Sequence, residues 1–326
     1  MDRWSGVLKV PLGPSTRNYY RVAASICMSP SSGTLAMPWA NAIFFHGDRV
    51  RGTGNRVIER IYDLQKVAEI IVSKFGNFVN AWVVEASVFA GPFAVYKDFV
   101  PSVNRCGEPL SYSPAGFPAS SSTVFLLSNC LQEVKNIIFK DAKEVPSIDQ
   151  LASSDSHLPK TILMGFSKGG VVLNQLVSEL AFLDANSAEI SPAVQERPLV
   201  SNREGIRIIS PSIKTFLSSI SNIHYVDVGL NTSGAYITDH SAIQRISQCL
   251  LRGGDSIRFV FHGTPRQWCD EKRGWIREEK DELVRQLKSE AESSGGKIQV
   301  CERFYFADRI PDLQMHFEII DAMDVS

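Results

Sequence analysis

The sequence has no excess of charge of either sign: 34 lysines and arginines stand against 35 aspartates and glutamates in 326 residues. That balance removes the basic footprint on which nucleic-acid binding depends, so the expected partner is a small molecule and not a nucleic acid. Cysteine is sparse. Cys27, Cys106, Cys130, Cys249, Cys269 and Cys301 are scattered with no Cys-x-x-Cys pair. This excludes a disulfide scaffold and reads as reduced thiols in a cytosolic-type compartment. No stretch approaches the 18 or more uninterrupted apolar residues of a membrane-spanning helix. The opening Met-Asp-Arg-Trp-Ser-Gly has an early acid and no apolar run of signal-peptide length. A cytoplasmic location is therefore expected. The alternative is a mitochondrial or other organelle location, because residues 15–32 contain serine and arginine and no acid. Neither a His-Glu-x-x-His pair nor a Gly-Lys-Ser/Thr phosphate loop occurs, so no metal and no cofactor is expected.

What is present is a core. Apolar residues make up 44% and charged residues 21%, the balance of an ordinary globular chain, and the expectation is one domain over residues 1–326. Residues 6–12 and 18–27 are β-leaning runs around Gly13-Pro14, which predicts an N-terminal hairpin at about 5–28. The fully apolar run at 42–45 predicts a buried parallel strand, and 81–84, 161–165, 223–228, 257–261 and 298–306 read as further strands. Apolar residues at helical spacing separate them, as in Ile58, Ile61, Ala68, Ile71 and Val72, and again in Leu173, Leu176, Val177 and Leu180. Alternation of this kind demands crossover connections, hence an α/β class with a mostly parallel, doubly wound sheet and helices on both faces. The irregular segments at about 101–122 and 184–207 read as insertions that fold over a site as a lid.

The chemistry-bearing motif is Gly165-Phe166-Ser167-Lys168-Gly169-Gly170. Gly-x-Ser-x-Gly alone is weak, but here it joins an apolar strand to an amphipathic helix, the arrangement of the α/β-hydrolase nucleophile elbow. Side chains at 165 or 169 would collide with the neighbouring strand or helix, and the helix start behind Ser167 offers N–H groups to a developing oxyanion. The Lys168 N–H is one expected donor. The loop after an earlier strand, Phe44-Phe45-His46-Gly47-Asp48, is the expected source of the second, from Gly47 or Asp48. A serine needs a base, and only imidazole combines a near-neutral pKa with hydrogen-bond reach on both sides. In this fold the order is serine, acid, histidine, and His316 alone follows the final strand, in the loop that would bring it back over Ser167. His262, at a strand end, is the reserve; His224 falls in a strand, His240 on a helix and His157 before the serine. Two acids stay open, with Asp270 placed ahead of Asp227. Asp270 follows the penultimate strand, just before the last long helix, and its bland reading is a helix N-cap. Asp227 ends the strand before that, a place that some lipases of this fold use; its bland reading is a partner for a buried N–H.

Blocks along residues 40–320 resemble one eukaryotic family, typified by the vertebrate mitochondrial product of chromosome 2 open reading frame 69. They are Phe44-Phe45-His46-Gly47-Asp48, Trp82-Val83-Val84, Tyr96-Lys97-Asp98-Phe99-Val100, Gly165 to Gly169 with Val172-Leu173-Asn174-Gln175-Leu176, the segment around Asp227, Thr264-Pro265, Asp270, Trp275 and His316-Phe317. The chain departs from the family's pattern at His46, where the family has proline, and at Val228, where the family has glycine. The resemblance implies an α/β-hydrolase fold and a serine, aspartate and histidine of esterase type, with no settled substrate. The function expected is acyl transfer to water; the rival is a hydrolase-like chain that uses the fold for binding alone.

Overall fold

The computed structural model describes residues 2–13, 18–140, 158–183 and 208–326. The first half runs β1 (Asp2–Pro11), β2 (Tyr19–Met28), β3 (Ala40–Phe45), α1 (Arg56–Arg60), α2 (Leu64–Phe75), β4 (Val79–Val84), β5 (Val88–Ala90), β6 (Phe93–Val95) and α3 (Pro118–Lys140). It continues with β7 (Lys160–Phe166), α4 (Gly170–Leu180), α5 (Ile213–Ser218), β8 (Ile220–Val226) and α6 (His240–Leu251). The last part is β9 (Ile257–Gly263), α7 (Pro265–Trp268), α8 (Gly274–Ser293), β10 (Ile298–Phe304) and α9 (Leu313–Ala322).

Eight strands make one sheet in the order β1-β2-β4-β3-β7-β8-β9-β10, and β5 pairs β6 in a small ribbon outside it. The β1–β2 hairpin joins antiparallel at one edge, and all pairings from β4 to β10 are parallel. Parallel strands are covered on both faces, which is why β3 and β4 are buried at every position and read as apolar runs. Their side chains alternate between two cores. Ile43 and Phe45 enter the core shared with α3, α4, α6 and α8, while Ala42 and Phe44 enter the one shared with α2 and α9. This mainly parallel sheet, edged by an antiparallel hairpin and wound by helices on both faces, is the α/β-hydrolase fold.

The local chemistry of the elements follows the residues. Asp63 caps α2 through the Gln65 N–H, its buried stripe is Leu64, Val67, Ala68, Ile71 and Val72, and Gly76 ends it with φ 95°. The segment expected to be irregular through residue 122 becomes helical earlier, at Pro118, where proline suits a first helical turn. The anionic cap comes from far away: the buried Glu179 carboxylate of α4 accepts from the Ala119 and Ser120 N–H groups at 2.8 Å each. Burial pushes the Glu179 carboxyl up despite those donors. Residues 184–207, the second expected insertion, and His157 lie outside the described residues. Among the described residues no helix is long and apolar enough to cross a membrane.

Candidate active site

The carboxyl ends of the parallel strands deliver the loops that build the site, as the strand order of an open α/β sheet requires. At the end of β7 the chain turns so sharply that Ser167 adopts φ 52°, a left-handed conformation that costs a non-glycine residue about 1–3 kcal/mol. One 3-10 turn, Ser167–Gly169, then feeds α4. The turn fits because its neighbours are small. A Cβ on Gly169 would stand 2.0 Å from the Phe45 carbonyl oxygen, and one on Gly165 would stand 2.8 Å from the Gly169 oxygen. Gly47, in the loop after β3, lies so close that its Cβ would stand 2.6 Å from the Ser167 Cβ. Among the described residues neither the Gly47 nor the Asp48 N–H meets a hydrogen-bond acceptor.

His316 lies in the first turn of α9, where a loop position was expected. Asp312 caps that helix through the Met315 N–H at 2.6 Å and so fixes the turn that carries the imidazole. The His316 ring stacks on Phe166, the residue before the serine, at 4.6 Å between centroids, and its Nδ1 meets Asp227 Oδ2 at 2.6 Å. Asp227 is fully buried at the end of β8, with φ 44°. Its Oδ1 accepts the Thr264 N–H at 2.7 Å and its Oδ2 the Thr264 hydroxyl at 3.0 Å. Three bonds, two from Thr264 after β9 and one from His316 on α9, therefore hold one carboxylate. With Nδ1–H donating to Asp227, Nε2 is the ring nitrogen left to take up a proton.

Ser167, His316, Asp48 and Lys168 line one cleft of about 170 Å³. The Lys168 side chain is buried and plays no part as an exposed cation. Its Nζ donates to Glu108 Oε1 at 2.7 Å and to the Cys106 carbonyl at 2.9 Å, above the Phe93 ring at 4.7 Å. The loop after β6 is thereby tied to the turn that holds Ser167. Asp48 accepts the Ala94 N–H at 2.7 Å and lies 3.8 Å from Lys168 Nζ; burial pushes its carboxyl up, against the pull of that ammonium.

Other expected residues stand apart. Asp270 does not meet His316: its side chain caps a short turn through the Lys272 N–H at 3.0 Å and pairs with Arg273 at 2.8 Å. Partial burial raises its carboxyl, but these two donors outweigh that and hold it below the usual range. His262 is buried in β9 between His224 and Tyr305, 3.0 Å from each, and burial pushes its imidazole down to about 3. His240 is exposed at the start of α6. His46 is buried, with Nε2 3.0 Å from the Ile61 carbonyl, and burial lowers its pKa. Thr264, Glu108 and Arg266 were not foreseen. Thr264 has a readable signal, since it begins the Thr-Pro turn after β9; no pattern in the sequence points to a Lys168–Glu108 pair 60 residues apart.

The sequence profile of the C2orf69 family matches residues 119–291, a span that runs from α3 to α8 and holds Ser167 and Asp227. The chain belongs to the C2orf69 family. It is 25% identical over 293 residues to the "Mitochondrial protein C2orf69 homolog" of Mus musculus, covering 79% of this chain and 69% of the mouse protein. The protein of the same name in Danio rerio is 23% identical over 291 residues, covering 86% of this chain and 72% of the fish protein. Among solved structures, this C2orf69 chain is similar to an alpha/beta hydrolase enzyme from a Medee basin deep-sea metagenome library. The identity is 13%, the TM-score 0.41, and the match covers 97% of this chain and 87% of that one.

Proposed function

We propose that this protein is a serine hydrolase of esterase type that transfers an acyl group to water. The observation that carries the reading is the 2.6 Å bond from His316 Nδ1 to the buried Asp227, in a cleft also lined by Ser167 on its strained turn. In this mechanism His316 Nε2 takes the Ser167 proton as Oγ attacks an ester, thioester or amide carbonyl, and returns it to the leaving group. Water then cleaves the acyl-serine by the reverse proton route. The N–H groups of Lys168 and of Gly47 or Asp48 receive the oxyanion, an effect worth roughly 3–4 kcal/mol per donor in comparable enzymes. Asp227 takes the acid's role and Asp270 does not. The relatives are named mitochondrial, and we assign this chain to that compartment in place of the cytoplasm; fractionation of cells expressing the full-length protein checks it.

A fluorophosphonate probe tests the chemistry. The expected result is covalent labelling of the wild type that disappears in Ser167→Ala. Well-folded wild type that resists the probe would overturn the reading and leave the fold as a binding scaffold.

A further inference from the structure

The cleft beside Ser167 contains a cation with no ion-pair partner among the described residues. Arg266, in α7 just after β9, lines the cleft together with Ser167 and His316. Its Nε is buried with no hydrogen-bond partner, and among the described residues no carboxylate lies within ion-pair distance of its guanidinium. The other charges nearby are matched. Lys168 is held by Glu108 at 2.7 Å, Asp48 has the Ala94 N–H and Lys168, Asp227 has His316 and Thr264, and Arg273 has Asp270 at 2.8 Å. Arg273 nonetheless lines the same cleft and reaches the Arg266 backbone carbonyl at 3.5 Å, so both arginines stand at its wall. Burial, and then the Arg273 cation, lower the proton affinity of Arg266, against the weaker pull of the Asp227, Asp270 and Asp312 carboxylates, none of which reaches it as an ion pair.

An orphaned buried donor on a cation is costly unless something accepts from it, and a guanidinium presents paired donors that match an oxyanion in a bidentate fork. We infer that the substrate of this site is an acyl ester or thioester carrying a carboxylate or phosphate group, which Arg266, seconded by Arg273, binds while the carbonyl faces Ser167. This rests on the esterase reading for the carbonyl's fate, but the anion subsite stands on Arg266 alone. A cleft of about 170 Å³ suits a short chain between the two groups. The pairing also explains what Asp270 does: it restrains Arg273, and its removal frees a second cation for the ligand.

The test is a ligand-observed NMR titration of the Ser167→Ala protein, which cannot turn its ligands over. Monomethyl succinate is compared with methyl butyrate, its neutral counterpart, and with the methyl ester of 3-phosphonopropionate. The expected result is that an anionic ester binds about tenfold more tightly than the neutral one, a preference that collapses toward unity in Ser167→Ala/Arg266→Gln and is partly kept by Arg266→Lys. The tighter of the two anionic esters identifies carboxylate or phosphate. Asp270→Asn, a change at a partly exposed cap, raises the preference, which gives a second reading should Arg266→Gln fail to fold. Equal affinity for neutral and anionic esters, or a preference that survives Arg266→Gln, overturns the inference. The fluorophosphonate result separates the two claims: labelling without preference removes the anion subsite only, and preference without labelling removes hydrolysis only.

Discussion

The loops after β8 and β9 begin alike, each leaving a buried parallel strand and each carrying an aspartate, yet they do opposite things. The β8 loop supplies an acceptor, Asp227, at the strand end itself, buried and turned inward by a φ of 44°. The β9 loop supplies donors, the Thr264 N–H and hydroxyl that hold Asp227, while its own aspartate, Asp270, lies seven residues beyond Gly263 and faces Arg273. The lesson is that position relative to the strand end matters more than which strand bears the acid. The carboxylate at the strand end is reached by Thr264 and His316; the one seven residues later pairs within its own short turn.

The comparison breaks most sharply at Asp227. Asp227→Asn keeps the shape and removes the charge facing Nδ1, and the expected loss in ester turnover is about 10⁴-fold, read as kcat with a chromogenic ester. A loss under tenfold would mean that the two aspartates are not distinguished by function. The strand ends themselves give the next effect. Burial holds His262 near 3, and His224 is lowered in the same way, so below an unfolded value of about 6.5 the unfolded chain binds protons that the folded chain does not. Stability is therefore full above about pH 6.5 and falls as pH drops toward 3. Between about pH 6.5 and 5 His262 contributes roughly 1.5 kcal/mol to that fall, and His224 acts in the same direction. Urea unfolding at the two pH values measures it, and His262→Gln flattens the slope; an unchanged slope would show that His262 titrates normally. Thr264→Val, which removes one of the two donors from the β9 loop, costs about tenfold in kcat, and its effect does not add to that of Asp227→Asn in the double variant. Asp270→Asn is expected to do least: under about 1 kcal/mol in thermal unfolding and at most about threefold in turnover of a neutral ester. A loss matching that of Asp227→Asn would reverse the assignment of the two loops.

The fold class was legible because strands covered on both faces must be apolar throughout and helices between them must show a stripe; β3, β4 and α2 say so in plain residues. The turn at Ser167 was legible for a related reason, since two glycines flank it and the structure has no room for a Cβ at either. The choice between Asp227 and Asp270 was not. It depends on a backbone conformation at Asp227 and on donors from Thr264, 37 residues away, and neither has a local signature. His316 was placed after the last strand but not on a helix, although Asp312, three residues before Met315, is a readable cap. The early start of α3 has only Pro118 as a local signal, because its cap, Glu179, comes from another helix.

The left-handed backbone at Ser167 also bears on how this chain has been selected. Glycine takes that conformation freely, so Ser167→Gly should raise thermal stability even though it deletes a side chain. A lineage under no demand for a hydroxyl at this position has an easy stabilising substitution open to it, and drift would favour taking it. On the hydrolase reading proposed above, serine standing where glycine is the relaxed choice marks a trade of robustness for reactivity, and across related chains the residue at this one position would be a cheap indicator of which members require the hydroxyl.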